Sequence, residues 1–312
     1  MVHAKEGFFV RHTKPPWLKV KAPGGERYTW IKGQAREQGL HTVCEEAHCP
    51  NIGECWSTGT ATFMVMGDTC TRGCRFCAVN TLKLPKALDP DEPAKLGRTI
   101  AAMGLDYVVV TSVNRDDLED QGATHFAQCI QAIRAASPNT MVETLIPDFR
   151  GRRDLLKIVA DAAPNVIAHN IETVERMTPR VRDRRAGYQQ SLEVLQMLKE
   201  LQPYRHTKSS IMVGVGETEE EVLTTMADLR AVDCDFLTLG QYLQPSAKHL
   251  AVDAFIQPET FERYRIIGEN LGFAYVASGP LVRSSYKAGE FFIRQHLERT
   301  KASEPNAQEI RT

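Results

Sequence analysis

Six of the chain's eight cysteines fall in two triplets, Cys44-x4-Cys49-x5-Cys55 and Cys70-x3-Cys74-x2-Cys77. Cubane iron–sulfur clusters are usually held by four thiolates, and each triplet offers three. A cluster bound in that way has one iron open to another ligand. Two such sets side by side point to chemistry at open irons rather than to electron storage. The second triplet is the sharper signal, because C-x3-C-x2-C lets one short loop reach three corners of a cube. Phe76, between Cys74 and Cys77, is an apolar side chain able to shield such a cluster from water. Two other uses of clustered cysteines compete with this one. A structural zinc site needs four ligands, and His48 or His41 would complete one around the first triplet. A disulfide framework suits short secreted chains, whereas this one has 312 residues and no apolar signal segment.

These thiols need a scaffold, and the chain downstream of them alternates short apolar runs with helical patterns. Strands are expected at Ala61–Met66, Tyr107–Ser112, Met141–Ile146, Val166–Asn170, Ser209–Val213 and Phe236–Leu239. Helices are expected at 91–103, 122–136, 151–162, 187–201 and 218–231. Leu192, Leu195, Leu198 and Leu201 form a stripe that would face a sheet. A further helix, 259–271, leads to a seventh apolar run, Phe273–Ala277. Strand–helix alternation of this kind gives parallel strands joined by right-handed crossovers. Six or so units are too few for the eight-stranded barrel but suit an open, partial one. Ligands in such folds sit at the C-terminal ends of the strands, where the second triplet follows the first strand. Upstream, residues 1–25 read as an extended arm rich in Pro, Gly and Lys, and 26–40 as a short helix carrying Tyr28, Trp30, Ile31 and Leu40.

Bulk properties exclude several function classes. Hydrophobic residues make up 42% and charged residues 25%, the mixture of an ordinary globular protein. A formal net charge of −1 produces no global field toward nucleic acid or membrane. No apolar run approaches the roughly 20 residues of a membrane span. Free thiols and iron require a reducing compartment, and the N-terminus carries Glu6 and lacks serine before Ser57. Together these place the chain in the cytoplasm.

A C-x3-C-x2-C loop after the first strand of a partial β/α barrel resembles the radical S-adenosylmethionine superfamily. Four further segments narrow the likeness: Cys44-Glu-Glu-Ala-His-Cys-Pro-Asn-Ile-Gly-Glu-Cys55, Gly67-Asp-Thr-Cys-Thr-Arg-Gly-Cys-Arg-Phe-Cys77, Gly240-Gln-Tyr-Leu-Gln-Pro245 and Arg283-Ser-Ser-Tyr286. Together they resemble the lipoyl synthase family from about Lys14 to about Gly289. The resemblance implies a partial (β/α)6 parallel barrel at 58–256. It would be flanked by an N-terminal extension with the auxiliary-cluster motif at 1–57 and a C-terminal extension with the Arg-Ser-Ser-Tyr motif at 257–312.

The resemblance also implies roles. Cys70, Cys74 and Cys77 would hold the 4Fe–4S cluster that binds S-adenosylmethionine and yields a 5′-deoxyadenosyl radical. Cys44, Cys49 and Cys55 would hold a second, auxiliary 4Fe–4S cluster, whose fourth iron takes the oxygen of Ser285. A hydroxyl is harder and more exchangeable than a thiolate, which suits a cluster that gives up sulfur. The implied reaction inserts sulfur at C6 and C8 of an octanoyl chain on a carrier-protein lysine, positions whose C–H bonds only a radical can break. Implied partners are octanoylated lipoyl carrier domains or the glycine cleavage H protein, reduced ferredoxin or flavodoxin, and an iron–sulfur cluster carrier.

Contacts to S-adenosylmethionine are expected from Thr111 and Ser112 at the end of the second strand, where the Gly-Gly-Glu frequent in the superfamily is missing. The competing role for this segment is a plain loop capped by Asp117. Asn170 and Glu172 close the fourth strand, and Lys208 enters the fifth, within reach of a methionine carboxylate. Thr218 is an expected helix N-cap. The run Arg180, Arg182, Arg184 and Arg185 is either a solvated loop or a dock for acidic carrier domains. Cys129 and Cys234 are expected to be small buried hydrophobes. Two alternatives share parts of this pattern: a biotin-synthase-like enzyme acting on a small molecule, and a non-catalytic iron–sulfur carrier.

Overall fold

The computed structural model describes residues 14–20, 23–46, 49–57, 61–286 and 295. After a single 3-10 turn, Pro16–Leu18, the N-terminal part contains α1 (Glu26–Glu37), β1 (His41–Thr42), α2 (Val43–Glu46) and α3 (Ile52–Ser57). Next come β2 (Ala61–Val65), β3 (Thr69–Cys70), β4 (Asn80–Thr81), α4 (Glu92–Met103), β5 (Tyr107–Ser112), α5 (Ala123–Ala136), β6 (Met141–Leu145), α6 (Arg153–Asp161) and β7 (Val166–Ala168). The chain continues through α7 (Thr178–Val181), α8 (Tyr188–Leu201), β8 (His206–Val213), α9 (Glu219–Ala231), β9 (Phe236–Gln241), α10 (Pro258–Asn270) and β10 (Tyr275–Gly279).

Eight strands form one sheet in the order β1-β2-β5-β6-β7-β8-β9-β10. All neighbours are parallel except β1, which runs antiparallel to β2 with His41 opposite Met64 and Thr42 opposite Phe63. Strands covered on both faces must be apolar throughout. Accordingly every residue of β2 and β9 is buried, and Val108, Val109 and Val110 of β5 are fully covered. The leucine stripe of α8 packs inward through Leu192, Leu195 and Leu198. Gly97 lets α4 lie against α5, since a Cβ there would stand 2.7 Å from the Ala132 carbonyl oxygen. Thr218 caps α9 in a capping box: its hydroxyl accepts from Glu221 N, and the Glu221 carboxylate accepts from Thr218 N. The expected open parallel barrel is what forms. β10, assigned from sequence to the C-terminal extension, continues the same sheet as its last strand. Among the described residues no helix is long and apolar enough to cross a membrane.

The two edges of the sheet are tied together. Asn51, just before α3, donates from Nδ2 to the Leu281 carbonyl at 2.7 Å, and Tyr286 OH donates to Glu54 at 3.2 Å. The segment that follows β10 therefore returns to the N-terminal layer, 230 residues away in sequence.

Candidate active site

The loop bearing Cys70, Cys74 and Cys77 leaves β2 at its C-terminal end, and its backbone is fastened on every side. It starts with a left-handed pair, Met66 (φ 68°) and Gly67 (φ 88°). Met66 N donates to Glu92 Oε2 at 2.9 Å, and that oxygen also meets His125 Nε2 at 2.6 Å. Glu92, His125 and Cys129 group closely enough to suggest a metal site, but the carboxylate is already engaged by these two partners. Their visible effect is to hold the strained turn. Gly122 leaves room for Met66, since a Cβ there would fall 2.1 Å from its sulfur.

Arg72, inside the cysteine loop and 4% exposed, is the main fastening. Its guanidinium donates to both oxygens of Asp116 at 2.9 Å and to Asp148 at 2.5 and 2.8 Å. Burial works to raise both carboxyls, but Arg72 overrides it and holds each below the usual carboxylate range. Asp116 follows β5 and Asp148 follows β6, so one side chain of the loop is clamped to the ends of two strands. Asp183 accepts from Gly73 N at 2.9 Å, and Arg185 donates to the Thr71 carbonyl at 2.7 Å. Backbone N–H groups also point at sulfur: Arg72 N and Asn114 N at Cys70, and Asp183 N at Cys74. Removing one partner of a buried ion pair leaves an uncompensated charge. Arg72→Met is therefore expected to cost about 3–5 kcal/mol, read from denaturant midpoints. Arg72→Lys should recover only part of that, because an ammonium cannot fork to two carboxylates.

The basic run divides, two of its four arginines being taken up by the fold. Arg182 is buried and donates to the Ile171 carbonyl and to Ser191 Oγ, and Arg185 braces the cysteine loop. Only Arg180 and Arg184 face solvent. Arg72 and its two aspartates were not singled out from sequence. The available signal was a charged residue between two clustered cysteines, together with the Arg115-Asp-Asp117 run at a strand end.

The expected S-adenosylmethionine contacts divide. Ser112 Oγ and Asn170 Oδ1 are buried at the rim with no hydrogen-bond partner among the described residues. Glu172 sits beside Asn170 in left-handed backbone (φ 70°) and accepts from Asn170 Nδ2 at 3.1 Å. Burial raises its carboxyl pKa, and nearby Arg182 opposes the rise. Thr111 reaches the same rim, but its hydroxyl donates to the Leu145 carbonyl at 2.9 Å. Lys208 is not brought to this rim. It lies toward the start of β8, opposite Phe236 at the start of β9, with Nζ 2.8 and 2.9 Å from the two Glu143 oxygens. Tyr107 OH donates to the same carboxylate. A lysine there neutralises a buried glutamate at the opposite end of the strands. Asp117 does not cap α5 either: it pairs with Arg115, and Asp120 accepts from Gly122 N and Thr124 N instead.

The first triplet lies at the seam between the sheet edges. Cys44, Cys49 and Cys55 line one small cavity, partly open to solvent, together with Thr62, Arg283 and Ser285. β1 delivers Cys44 next to Thr62 of β2, and α3 carries Cys55. The segment after β10 delivers Ser285; Ser284 does not line the cavity. Arg283 anchors that segment by donating from Nη1 to the Gln241 and Val282 carbonyls. Gly240 makes the crossing possible, because a Cβ on it would lie 2.0 Å from the Val282 oxygen. Gly240→Ala is expected to cost about 1–3 kcal/mol by overpacking and to speed hydrogen exchange at 280–286. Unchanged exchange there would show that the contact does not hold the segment. His41 meets Glu46 at 3.5 Å rather than a sulfur, and His48 lies outside the described residues.

Burial raises Cys44, Cys49, Cys74 and Cys77. Cys44 and Cys74 are pushed up to about 11 and Cys77 to about 12, with neighbouring cysteine charges adding to the rise, and Cys49 also goes up. Thiols so placed give up their protons to a cation and not to water. Cys129 and Cys234 are fully buried, as expected, and apart from both triplets.

The radical SAM superfamily model matches residues 64–229, and a model of the N-terminal domain of lipoyl synthase matches 3–49. The "Lipoyl synthase, mitochondrial" of Culex quinquefasciatus is 58% identical over 294 residues, covering 93% of this chain and 77% of its own length. "Lipoyl synthase 1, mitochondrial" of Pisum sativum is 53% identical over 296 residues, covering 93% and 79%. Both relatives are named as mitochondrial, which overturns the cytoplasmic expectation. Reduced thiols report a redox state, not which reducing compartment a protein occupies. Among solved structures, the FeFe-hydrogenase maturase HydG from Carboxydothermus hydrogenoformans aligns with a TM-score of 0.54 at 12% identity, covering 86% of this chain and 78% of that one. Methylornithine synthase aligns at 0.52 and 14%, covering 80% and 83%. These two show the fold alone. The sequence relatives decide between the alternatives left open by the cysteine pattern: this chain belongs to the radical S-adenosylmethionine superfamily and, within it, to the lipoyl synthase family.

Proposed function

We propose that this chain inserts two sulfur atoms, at C6 and C8, into an octanoyl group carried on a lysine of a lipoyl carrier domain or glycine cleavage H protein. Cys70, Cys74 and Cys77 hold the cluster that binds S-adenosylmethionine, and Cys44, Cys49, Cys55 and Ser285 hold an auxiliary 4Fe–4S cluster. When bound, the first supplies the electron that cleaves the sulfonium and the second supplies the sulfur. The observation that carries this is the seam cavity, where three thiols and one hydroxyl converge from segments more than 200 residues apart. Three soft donors and one hard one fit an iron cluster with a single exchangeable corner.

The chain's own groups orient and exclude. Arg72 and Asp183 fix the loop that carries the three sulfurs, which would hold the cluster. Ser112 Oγ and Asn170 Oδ1 are left to hydrogen-bond a polar ligand at the rim, and Glu172 accepts from its amino or ribose donors. Phe76, half-buried, keeps water from the loop. Electrons come from a reduced ferredoxin or flavodoxin, and spent sulfur is restored through an iron–sulfur cluster carrier.

Anaerobic reconstitution tests the ligand count. About eight irons per chain are expected from two cubane sites. A protein that saturates at four irons, or that holds stoichiometric zinc, would refute it.

A further inference from the structure

We propose that the surface bordering the Cys70–Cys77 loop is the dock for an acidic carrier protein, which seats there while its acyl-lysine enters the site. This rests on the acyl-carrier function proposed above.

Three segments border the loop and hydrogen-bond its backbone. Leu82 N donates to the Cys70 carbonyl at 3.1 Å, Arg75 N donates to the Val181 carbonyl at 2.9 Å, and His249 Nε2 stands 3.0 Å from the Cys77 carbonyl. From these segments Lys83, Lys86, Arg180, Arg184 and Lys248 extend into solvent. None of the five has an ion-pair partner among the described residues. Several exposed cations elsewhere are paired, Arg153 with Glu200, Lys157 with Asp161, Arg176 with Glu221 and Arg263 with Glu219, while Lys19, Arg27 and Arg98 stand singly on other segments. A chain of net charge −1 thus gathers five exposed cations without ion pairs beside its radical-forming loop. The stretch 79–88 contains two lysines and no acid.

An apolar spot accompanies the charge. Leu82 is 58% exposed and Leu84 81%, although neither needs exposure to build the fold. Cations around an exposed aliphatic spot match an acidic protein with a small apolar contact. They match nucleic acid poorly, because base stacking needs aromatic faces. Among the described residues the exposed aromatics Trp30 and Tyr204 lie on other segments.

The test uses the full reconstituted chain, the Lys83→Glu/Lys86→Glu double variant and Leu84→Asp. Two substrates are compared: a short octanoyl-lysine peptide and an octanoylated acidic lipoyl domain. Fluorescence anisotropy of the labelled domain gives affinity independently of turnover, and anionic vesicles serve as a competing ligand. Expected are a tenfold or greater loss of affinity for the domain and a matching rise in its KM, with peptide kinetics unchanged. Added salt should weaken domain binding by wild type and much less by the double variant. Equal affinity of variants and wild type, or equal losses on peptide and domain, would overturn the dock. So would capture of vesicles with no capture of the domain. Failure of wild type to modify even the peptide would count instead against the proposed reaction, and the dock would fall with it.

Discussion

Cys74→Ala is expected to abolish 5′-deoxyadenosine formation, while Cys49→Ala keeps it and makes no lipoyl product. The two triplets occupy separate places. Cys74 belongs to a loop at the C-terminal end of β2, fastened by Arg72 and Asp183. Cys49 lines the seam cavity between the sheet edges. On the proposed assignment, losing a sulfur from the loop removes the site that cleaves S-adenosylmethionine. The deficit should exceed about a thousandfold, or about 4 kcal/mol of barrier. Losing Cys49 leaves that loop untouched, so uncoupled cleavage persists. Chromatography of 5′-deoxyadenosine and mass spectrometry of the acyl substrate separate the two outcomes. Product bearing two C–S bonds from Cys49→Ala would rule out the auxiliary cluster as sulfur source.

Ser285→Ala should retain most of its iron and lose lipoyl formation, whereas Ser285→Cys should bind iron well and turn over poorly. On the proposed ligand set three thiols still grip the cluster, so the hydroxyl is not needed for retention. What it would contribute is a hard, weakly held corner beside soft thiolates. A cysteine there closes the fourth corner with a ligand that does not leave. Arg283 and Asn51 keep the segment in place, so either substitution changes the ligand and not the crossing. Iron analysis paired with product yield is the check. Full activity in Ser285→Ala would exclude a role on iron.

Much of this architecture was legible in the sequence because its determinants are local. Parallel strands covered on both faces must be continuous apolar runs, so Tyr107–Ser112 and Phe236–Leu239 announced themselves. Helices showed through their stripes and through the Thr218 cap. The cysteine spacings were local too. Residues that act across the fold were not. Lys208 looked like a rim cation because it lies near a strand, but only the β8 register and the distant Glu143 reveal an ion pair at the other end. Arg72 looked like a loop residue until Asp116 and Asp148 came in from two other strand ends. The arginine run at 180–185 hid two opposite fates, since Arg182 turns inward and Arg184 outward. Such differences depend on which element folds over a side chain, and no local pattern encodes that.

The most direct measurement is anaerobic incubation of the reconstituted chain with an octanoylated lysine peptide, a reductant and S-adenosylmethionine, read by mass spectrometry. The predicted result is a peptide carrying two added sulfur atoms, with one 5′-deoxyadenosine formed per sulfur and iron lost from the Cys44–Cys49–Cys55 site as product appears. Formation of 5′-deoxyadenosine with the octanoyl chain unchanged, or full product with that site intact and no sulfur lost from it, would contradict the account.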